Sequence, residues 1–182
     1  MKNELAIRYG NGLFLVAKEK QIIAEVLKST EFLIKIMQNN ESFLFILRAI
    51  RISKEEKHNF INRLFKDKIN LYLLNLIHLM IDRKREDYLQ NALHVYEELA
   101  YDALKIAKAT VFSVHLLNDK QVEQIKHKLE NDTGYKIILE NKIDTKLIAG
   151  IKVCIANQVL DFSTQKQLYQ LRMALLKGVR NE

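Results

Sequence analysis

The spacing of apolar residues constrains the fold of this chain most strongly, because the spacing changes once along the sequence. From Asn3 to about Lys105 apolar side chains recur every three or four residues, as on amphipathic helices. The chain has no proline and only five glycines, so little interrupts long helices. Ser53 with Glu56 forms a capping pair that predicts a helix start near Ile52, and another helix is expected after Asn70. We expect about six helices, joined by short connections into a bundle.

Beyond this region the apolar residues alternate with a period of two. The run around Val111 is rich in β-branched residues and predicts a strand. A helix capped by Asn118 or Asp119 and ended by Gly134 should follow. The remaining strands are expected at 136–140, 147–155 and 159–160, with a turn at Asn157 and Gln158, and a leucine-rich helix ends the chain. The second region is therefore predicted to have the order β-α-β-β-β-α.

These two patterns predict an α+β fold that is mainly α. A six-helix bundle is expected over residues 1–105 and a small β-α-β-β-β-α domain over residues 106–182. With 182 residues and 48% hydrophobic content, the chain is long enough to bury one good core or two small ones. No stretch approaches the roughly 20 apolar residues of a membrane helix, and the amino end lacks the pattern of a signal peptide. We expect a cytosolic, unprocessed protein.

A search for reactive groups finds no enzyme signature. The chain contains no phosphate-binding glycine loop, no nucleophile elbow and no metalloprotease motif. Its five histidines lie on separate predicted elements, and structural roles are favoured for all of them. His94 and Glu97 would share a helix face, but two ligands without a third make a weak metal site. The single cysteine, Cys154, is expected to be a small buried apolar residue. We therefore predict no catalytic residue, no cofactor and no metal.

The formal charge of +7 leaves a nucleic-acid partner open as an alternative. The densest basic run, Arg83 to Arg85, follows a predicted helix, where cations complement the helix dipole. Glu86 and Asp87 come directly after it, which favours a solvated turn. No basic stripe interleaved with aromatic residues is present. A basic nucleic-acid-binding adaptor is the main competing hypothesis, and an enzyme with an unfamiliar pocket of titratable groups is the third.

Two predicted helices carry more apolar surface than one core contact requires. The segment from Leu71 to Ile81 is apolar almost all round, apart from a narrow polar strip at Asn75 and His78. The first helix has one apolar stripe at Leu5, Tyr9, Leu13 and Val16, and a second at Ile7 and Phe14. Both helices could fill the centre of the bundle, or they could form a groove for a partner helix. The sequence alone leaves both interpretations open.

Three segments resemble the delta subunit of F-type ATP synthases, whose mitochondrial counterpart is the oligomycin-sensitivity-conferring protein. The run KIDTKLIAGIKV, which begins at Lys142, leads to VLDFS from Val159 and a leucine-rich helix. The run AIRYGNGLF from Ala6 is similar to that family's opening pattern, and the segment from Leu76 to Arg85 is similar to its helix that ends in an acidic residue, two others and arginine. The resemblance covers nearly the whole chain. It departs where the family has two glycines instead of Ala149 and Gly150, a glycine near Asn157, and other small residues where Gly10 and Gly12 stand.

The resemblance implies a stator, or peripheral stalk, protein without catalytic function. The amino-terminal six-helix domain would bind amino-terminal helices of the alpha subunits, and the carboxyl-terminal domain would bind subunit b. One copy per complex would lie on the cytoplasmic face of the cell membrane, attached only through the complex, with no role for nucleic acid. Held by this link, the catalytic head would not turn with the rotor, so proton flow would be coupled to ATP synthesis.

The resemblance also implies where partners bind. Alpha-subunit helices would dock against the first and fifth helices, which are the two helices with excess apolar surface. The candidate alpha-binding residues are Ile7, Tyr9, Leu13, Phe14, Leu76, Leu79 and Met80. The candidate subunit-b residues, assigned only to the last helix as an element, are Leu168, Leu171 and Leu175.

Overall fold

The computed structural model describes residues 2–155, 158–166, 168–170 and 173. Its helices and its mixed sheet confirm the predicted α+β fold, mainly α. The chain divides into two compact units, and the boundary falls between Leu104 and Lys105.

The described part of the first unit contains helices and connecting turns but no strand. It contains six α-helices and one short 3₁₀ turn between the fifth and sixth. The helices are α1 (Lys2–Glu19), α2 (Ile23–Asn39), α3 (Glu41–Arg48), α4 (Lys54–Phe65), α5 (Leu71–Asp82) and α6 (Leu89–Ala103), and the 3₁₀ turn is Glu86–Tyr88.

Local capping signals in the sequence set several of these boundaries. Ser53 and Glu56 form the expected capping box: the Glu56 amide donates to Ser53 Oγ at 3.2 Å, and the Ser53 amide donates to Glu56 Oε2 at 2.9 Å. The Asn70 side chain caps α5 by accepting from the Tyr72 amide at 2.9 Å. These bonds satisfy amide groups that have no partner within the helix, so helix starts were readable from the sequence.

Helix α6 packs against α1 and α2. Tyr96 is fully buried, and its hydroxyl donates to the Ile23 carbonyl at 3.0 Å. Burial raises the pKa of Tyr96 above its usual value, because the ionised phenolate would lose its hydration. Helix α1 approaches α6 closely at Gly10, where an added Cβ atom would lie 2.7 Å from Val95 Cβ. Glycine at position 10 therefore lets the two helices pack, which compensates for its poor helix propensity.

The second unit is a four-stranded mixed sheet with a helix on one face. Its elements are β1 (Ile106–Ser113), α7 (Asp119–Thr133), β2 (Lys136–Ile143), β3 (Gly150–Ile155) and β4 (Gln158–Ser163). The strand order is β2-β1-β3-β4, with β1 and β2 parallel and the other neighbours antiparallel. Helix α7 is the crossover that parallel pairing of β1 and β2 requires.

The ends of α7 follow the predicted signals. Asn118, not Asp119, is the cap: its Oδ1 accepts from the Gln121 amide at 2.8 Å, and Gln121 completes a capping box. Gly134 ends the helix at φ +70°, a left-handed conformation that glycine adopts readily. The helix buries Leu129 against a core of β-strand residues formed by Ala109, Val111, Ile137 and Val153.

Several details of this unit differ from the sequence predictions. The third alternating run becomes a strand only at Gly150, because residues before it form a turn in which the Lys146 amide donates to Asp144 Oδ1 at 2.9 Å. Cys154 is only half-buried, since its neighbour Val153 faces the core. Gln158, predicted in a turn, begins β4, while its predicted turn partner Asn157 lies outside the described residues. Strands β2 and β4 are also longer than the predicted 136–140 and 159–160, because backbone pairing with β1 and β3 extends past the alternating runs. Residues 164–166, 168–170 and 173 are helical, as the predicted last helix requires.

Candidate docking groove

An apolar groove runs between α1 and α5 on the surface of the helical unit. We call it the docking groove. Its described lining residues are Arg8, Tyr9, Gly12, Leu13, Val16, Tyr72, Asn75, Leu76 and Leu79. Its volume of about 280 Å³ is just below the range of roughly 300–1,000 Å³ that is typical of small-molecule sites. The volume alone does not exclude a small molecule, so the lining decides what kind of partner fits.

The groove exists because α5 is covered on only part of its surface. Its residues Leu73, Leu74, Ile77, Met80 and Ile81 are buried in the bundle. Leu79, by contrast, is 45% exposed on the groove side. The sequence left open whether α5 fills the centre of the bundle or forms a groove for a partner helix. Both interpretations apply, to different sides of the helix: one side fills the core, and the other leaves an apolar surface accessible.

The floor and rim of the groove have different compositions. Leu13 and Leu76 are buried at the floor, at 4% and 9% exposure. Val16 and Leu79 are more exposed and form apolar parts of the rim. Arg8 supplies the one charge among the described lining residues, and Asn75 adds an uncharged polar group. A mostly apolar floor with few polar groups is suited to the apolar face of an amphipathic helix.

Four of the seven predicted alpha-binding residues line the groove, namely Tyr9, Leu13, Leu76 and Leu79. The other three lie elsewhere. Ile7 is exposed but outside the groove lining, while the Phe14 ring packs edge-on against Tyr96 with ring centroids 6.4 Å apart. Met80 is 1% exposed and belongs to the core. The first apolar stripe of α1, and not the second, faces the groove.

The sequence-based prediction of the site omitted Arg8, Gly12, Val16, Tyr72 and Asn75. Three of these, Arg8, Gly12 and Val16, are spaced four residues apart and therefore share one face of α1. Val16 was recognisable in the sequence, because it belongs to the first apolar stripe of α1. Gly12 and Asn75 were not recognisable, because a glycine and an amide do not stand out in a search for apolar anchors.

Two histidines that are distant in the sequence meet between α4 and α5. The Nδ1 atoms of His58 and His78 lie 2.5 Å apart, so one of them donates a proton that the other accepts. His58 Nε2 lies 2.9 Å from Asp82 Oδ1, and His78 Nε2 lies 3.0 Å from Asn62 Oδ1. Lys54 Nζ adds a donor to the Asp82 carbonyl at 2.7 Å. The polar strip predicted on α5 is thus divided, with Asn75 in the groove and His78 against α4.

These contacts favour a single proton between the two imidazoles. Desolvation and the neighbouring His58 lower the pKa of His78, against a smaller opposite effect of Asp82. The hydrogen bond from His58 lowers the pKa of Asp82. If both Nδ1 atoms carried protons, they would face each other as like charges and the shared bond would be lost. The pair therefore works as a structural link between α4 and α5.

We expect this link to make the helical unit less stable in mild acid. The folded protein resists protonation of His78, whereas the unfolded chain takes up that proton below the ordinary pKa of 6.5. The free energy of unfolding should therefore fall as the pH drops from about 7.5 to about 5.5. Chemical denaturation followed by circular dichroism measures this slope. His78→Gln should flatten it, while His127→Gln, a change at an exposed side chain of α7, should leave it as it is; an unchanged slope in His78→Gln would contradict the interpretation.

The other sequence candidates take structural positions. His94 Nδ1 lies 3.4 Å from Glu97 Oε2, and the described residues contain no group of three potential metal ligands. The basic run forms the predicted turn at the end of α5, where the Arg85 amide donates to the Met80 carbonyl at 2.8 Å and the three side chains are exposed. Within the described part of the chain, no helix is long and apolar enough to cross a membrane.

The candidate subunit-b residues are described only in part. Leu168 is exposed on the last helix, and so are Tyr169 and Met173. Leu171 and Leu175 lie outside the described residues.

Comparison with known proteins assigns the chain to a family. A family model described as ATP synthase delta (OSCP) subunit matches residues 5–175. The ATP synthase subunit delta of Bacillus cytotoxicus is 32% identical over 180 residues, which cover 98% of this chain and 99% of that protein. The ATP synthase subunit delta of Alkalihalophilus pseudofirmus is 29% identical over 182 residues, covering 99% and 100%.

The fold has a solved counterpart. A chain in the cryo-EM structure of the Toxoplasma gondii mitochondrial ATP synthase hexamer aligns with a TM-score of 0.69 and 23% identity, over 94% of this chain and 97% of that chain. Because the match of the family model extends over both compact units, it accounts for the helical bundle and the sheet together. This chain belongs to the ATP synthase delta (OSCP) subunit family.

Proposed function

We propose that this chain is the fixed mechanical link between the catalytic head of an F-type ATP synthase and subunit b, without a catalytic role of its own. As a member of the family it is a peripheral stalk subunit of that enzyme complex and a peripheral component of a membrane-bound assembly. In such a complex the rotor exerts torque on the head during every turn. A link that holds the head still keeps proton flow coupled to ATP synthesis.

In this proposal the docking groove binds an amino-terminal helix of an alpha subunit. The supporting observation is the groove itself, which is apolar at its floor and formed by the two helices that the family resemblance implies. An amphipathic helix could place large apolar side chains over Leu13 and Leu76 at a spacing of three, four or seven residues. Binding free energy at this groove, and not chemistry, would be the quantity on which function depends.

The second unit would bind subunit b, and the last helix is the proposed contact. Exposed Leu168, Tyr169 and Met173 support this assignment at the level of the element, because large apolar side chains on a helix surface commonly mark partner contacts. One copy per complex, at the cytoplasmic face of the membrane, completes the proposal.

The proposal is tested by titrating the protein calorimetrically with a peptide matching the amino terminus of the alpha subunit from the same organism. We expect saturable one-to-one binding and no binding of an unrelated amphipathic helix. Leu79→Asp should weaken binding by about 2 kcal/mol or more, roughly 30-fold, because it places a charge on an apolar contact surface. Since Leu79 is 45% exposed, the variant should remain folded.

Phe45→Asp is the matched control. Phe45 on α3 is 77% exposed and outside the docking groove, so the same kind of change should leave peptide binding intact. Equal affinity of Leu79→Asp and the wild type would place the binding surface elsewhere. If the wild-type protein ignored the peptide but bound DNA or RNA with strong salt dependence, the nucleic-acid hypothesis would replace the stator proposal.

A further inference from the structure

Four polar side chains form a continuous row across the contact between α4 and α5. In the order Asp82, His58, His78 and Asn62, neighbouring polar atoms lie 2.9, 2.5 and 3.0 Å apart. We call these four side chains the polar row. The hydrogen bond with His58 lowers the pKa of Asp82, so this carboxylate is ionised near neutral pH and can only accept. His58 Nε2 is therefore the donor at this end of the row.

The exposed amide of Asn62 lets the row remain bonded with two different numbers of protons. When both imidazoles are neutral, His78 donates from Nδ1, and its Nε2 accepts from the Asn62 amide nitrogen. When one more proton binds, both Nε2 atoms donate, and the Asn62 oxygen accepts because the amide can rotate. A second added proton would place hydrogens on both facing Nδ1 atoms, so the bond between the two rings would be lost.

Charged groups on the packed elements determine how many added protons the row can hold. They are Lys54 on α4, Asp82 on α5, Glu86 in the 3₁₀ turn and, on the groove side of α5, Arg8 of α1. Helix α2 meets the start of α5 through uncharged Ser29, whose Oγ accepts from the Asn70 amide at 3.0 Å. Asp82 balances one added positive charge, whereas Glu86 is already paired with Lys57 at 2.8 Å. A second added proton would therefore be repelled by the first.

The start of α4 depends on polar links, because the apolar anchors of this helix lie further along. The buried residues of α4 are Lys57, Ile61 and Phe65, so residues 54–59 bury one charged side chain and no apolar one. Lys57 joins this segment to the 3₁₀ turn through Glu86. The polar row is the link from the same segment to α5.

We propose that the polar row is a pH-sensitive latch, which holds the start of α4 on α5 until a second added proton separates the two imidazoles and releases residues 54–59. The remainder of α4 stays packed through Ile61 and Phe65, so the release is local. Desolvation and the neighbouring His58 hold the pKa of His78 below its ordinary 6.5, which assigns the release to mildly acidic pH.

Nuclear magnetic resonance of the full-length protein from pH 7.5 to 5.5 tests the latch. Nitrogen chemical shifts of His58 and His78 should show protons on both Nδ1 atoms only at the acidic end. Amide exchange, corrected for its intrinsic dependence on pH, should show a loss of protection at residues 57–59. We expect a loss of about tenfold relative to α6, the change that one pKa unit produces.

Three variants separate the latch from a general effect of acid. His78→Gln removes the titrating group, so the pH dependence at residues 57–59 should disappear. Asn62→Asp places a carboxylate next to His78 Nε2, where it would balance the second positive charge, so the release should move to lower pH. His127→Gln is the matched control, because His127 Nδ1 lies 2.9 Å from Asn131 Nδ2 in another histidine–amide pair, on α7.

A constant ratio of α4 to α6 protection in the wild type would overturn the latch. It would also be overturned by a pH dependence that persists in His78→Gln, or by an equal change in His127→Gln. If His78→Gln fails to fold, Asn62→Asp decides the question, because release at an unchanged pH would show that the second charge on the row does not control it.

Discussion

Lys57→Met should lower the free energy of unfolding of the helical unit by about 3–5 kcal/mol, the range found when one partner of a buried ion pair is removed. Lys57 Nζ on α4 lies 2.8 Å from Glu86 Oε1 in the 3₁₀ turn, and the two side chains are only 9% and 11% exposed. Methionine keeps the apolar stem but leaves the Glu86 carboxylate buried without the ammonium group. Chemical denaturation followed by circular dichroism measures the loss.

The double variant Lys57→Met with Glu86→Met shows which effect causes the loss of stability: the missing attraction between the two charges, or the cost of leaving one charge buried without its partner. Replacing both partners with apolar side chains removes the buried charge, so most of the lost stability should return. Arg48→Met is a useful comparison, since its pair with Asp87 is 3.2 Å long but exposed, and such pairs contribute about 0–1 kcal/mol. A loss below about 1 kcal/mol in Lys57→Met would mean that this pair behaves like a surface pair.

Gly150→Ala should destabilise the second unit by more than about 3 kcal/mol, because a strained backbone and a steric clash add together. Gly150 begins β3 at φ +88°, where side chains are disfavoured. An added Cβ atom would lie 2.5 Å from the Phe162 carbonyl oxygen and 3.0 Å from Ser163 Cα, both of which are backbone atoms of β4. Since Gly150 is paired with Ser163, relief of the clash requires β3 and β4 to separate.

Amide hydrogen exchange on the full-length protein measures this effect in the second unit alone. Exchange across β3 and β4 should accelerate strongly in Gly150→Ala. Gly134→Ala is the matched control: it also has a positive φ, of +70°, but its Cβ would meet nothing within 4 Å, so a loss of about 1 kcal/mol is expected. Similar losses of stability in the two variants would show that backbone strain alone disfavours alanine at position 150, and that the predicted clash with β4 has no effect.

The strongest local signals in the sequence were sufficient to predict the elements. Capping at Ser53, Asn70 and Asn118 acts through bonds to backbone amides within three residues, so no distant part of the chain is needed to recognise it. The change from helical to alternating spacing likewise predicted both the bundle and the sheet. The third strand was predicted three residues too early, because the apolar pattern continues through a turn that an Asp144 side chain stabilises.

The candidate site was predictable only as far as the helices that form it. Excess apolar surface on α1 and α5 follows from composition, but the direction of each stripe depends on how the helices pack. The Phe14 ring packs against Tyr96 of α6, so it points away from the groove. Met80 is buried in the core, because the packing of α5 turns that side of the helix inward. The groove lining therefore includes the stripe of Tyr9 and Leu13 and excludes Phe14.

The sequence by itself determined the fold class, the helix caps, the absence of known catalytic motifs and the resemblance to one family. Each of these depends on neighbouring residues or on a linear pattern. Only the tertiary structure decided which side of α5 remains open, that His58 and His78 share a hydrogen bond, and that Lys57 is buried with Glu86. The two side-chain pairs join residues 20 and 29 positions apart in the chain, and such contacts form only when packed helices bring side chains together.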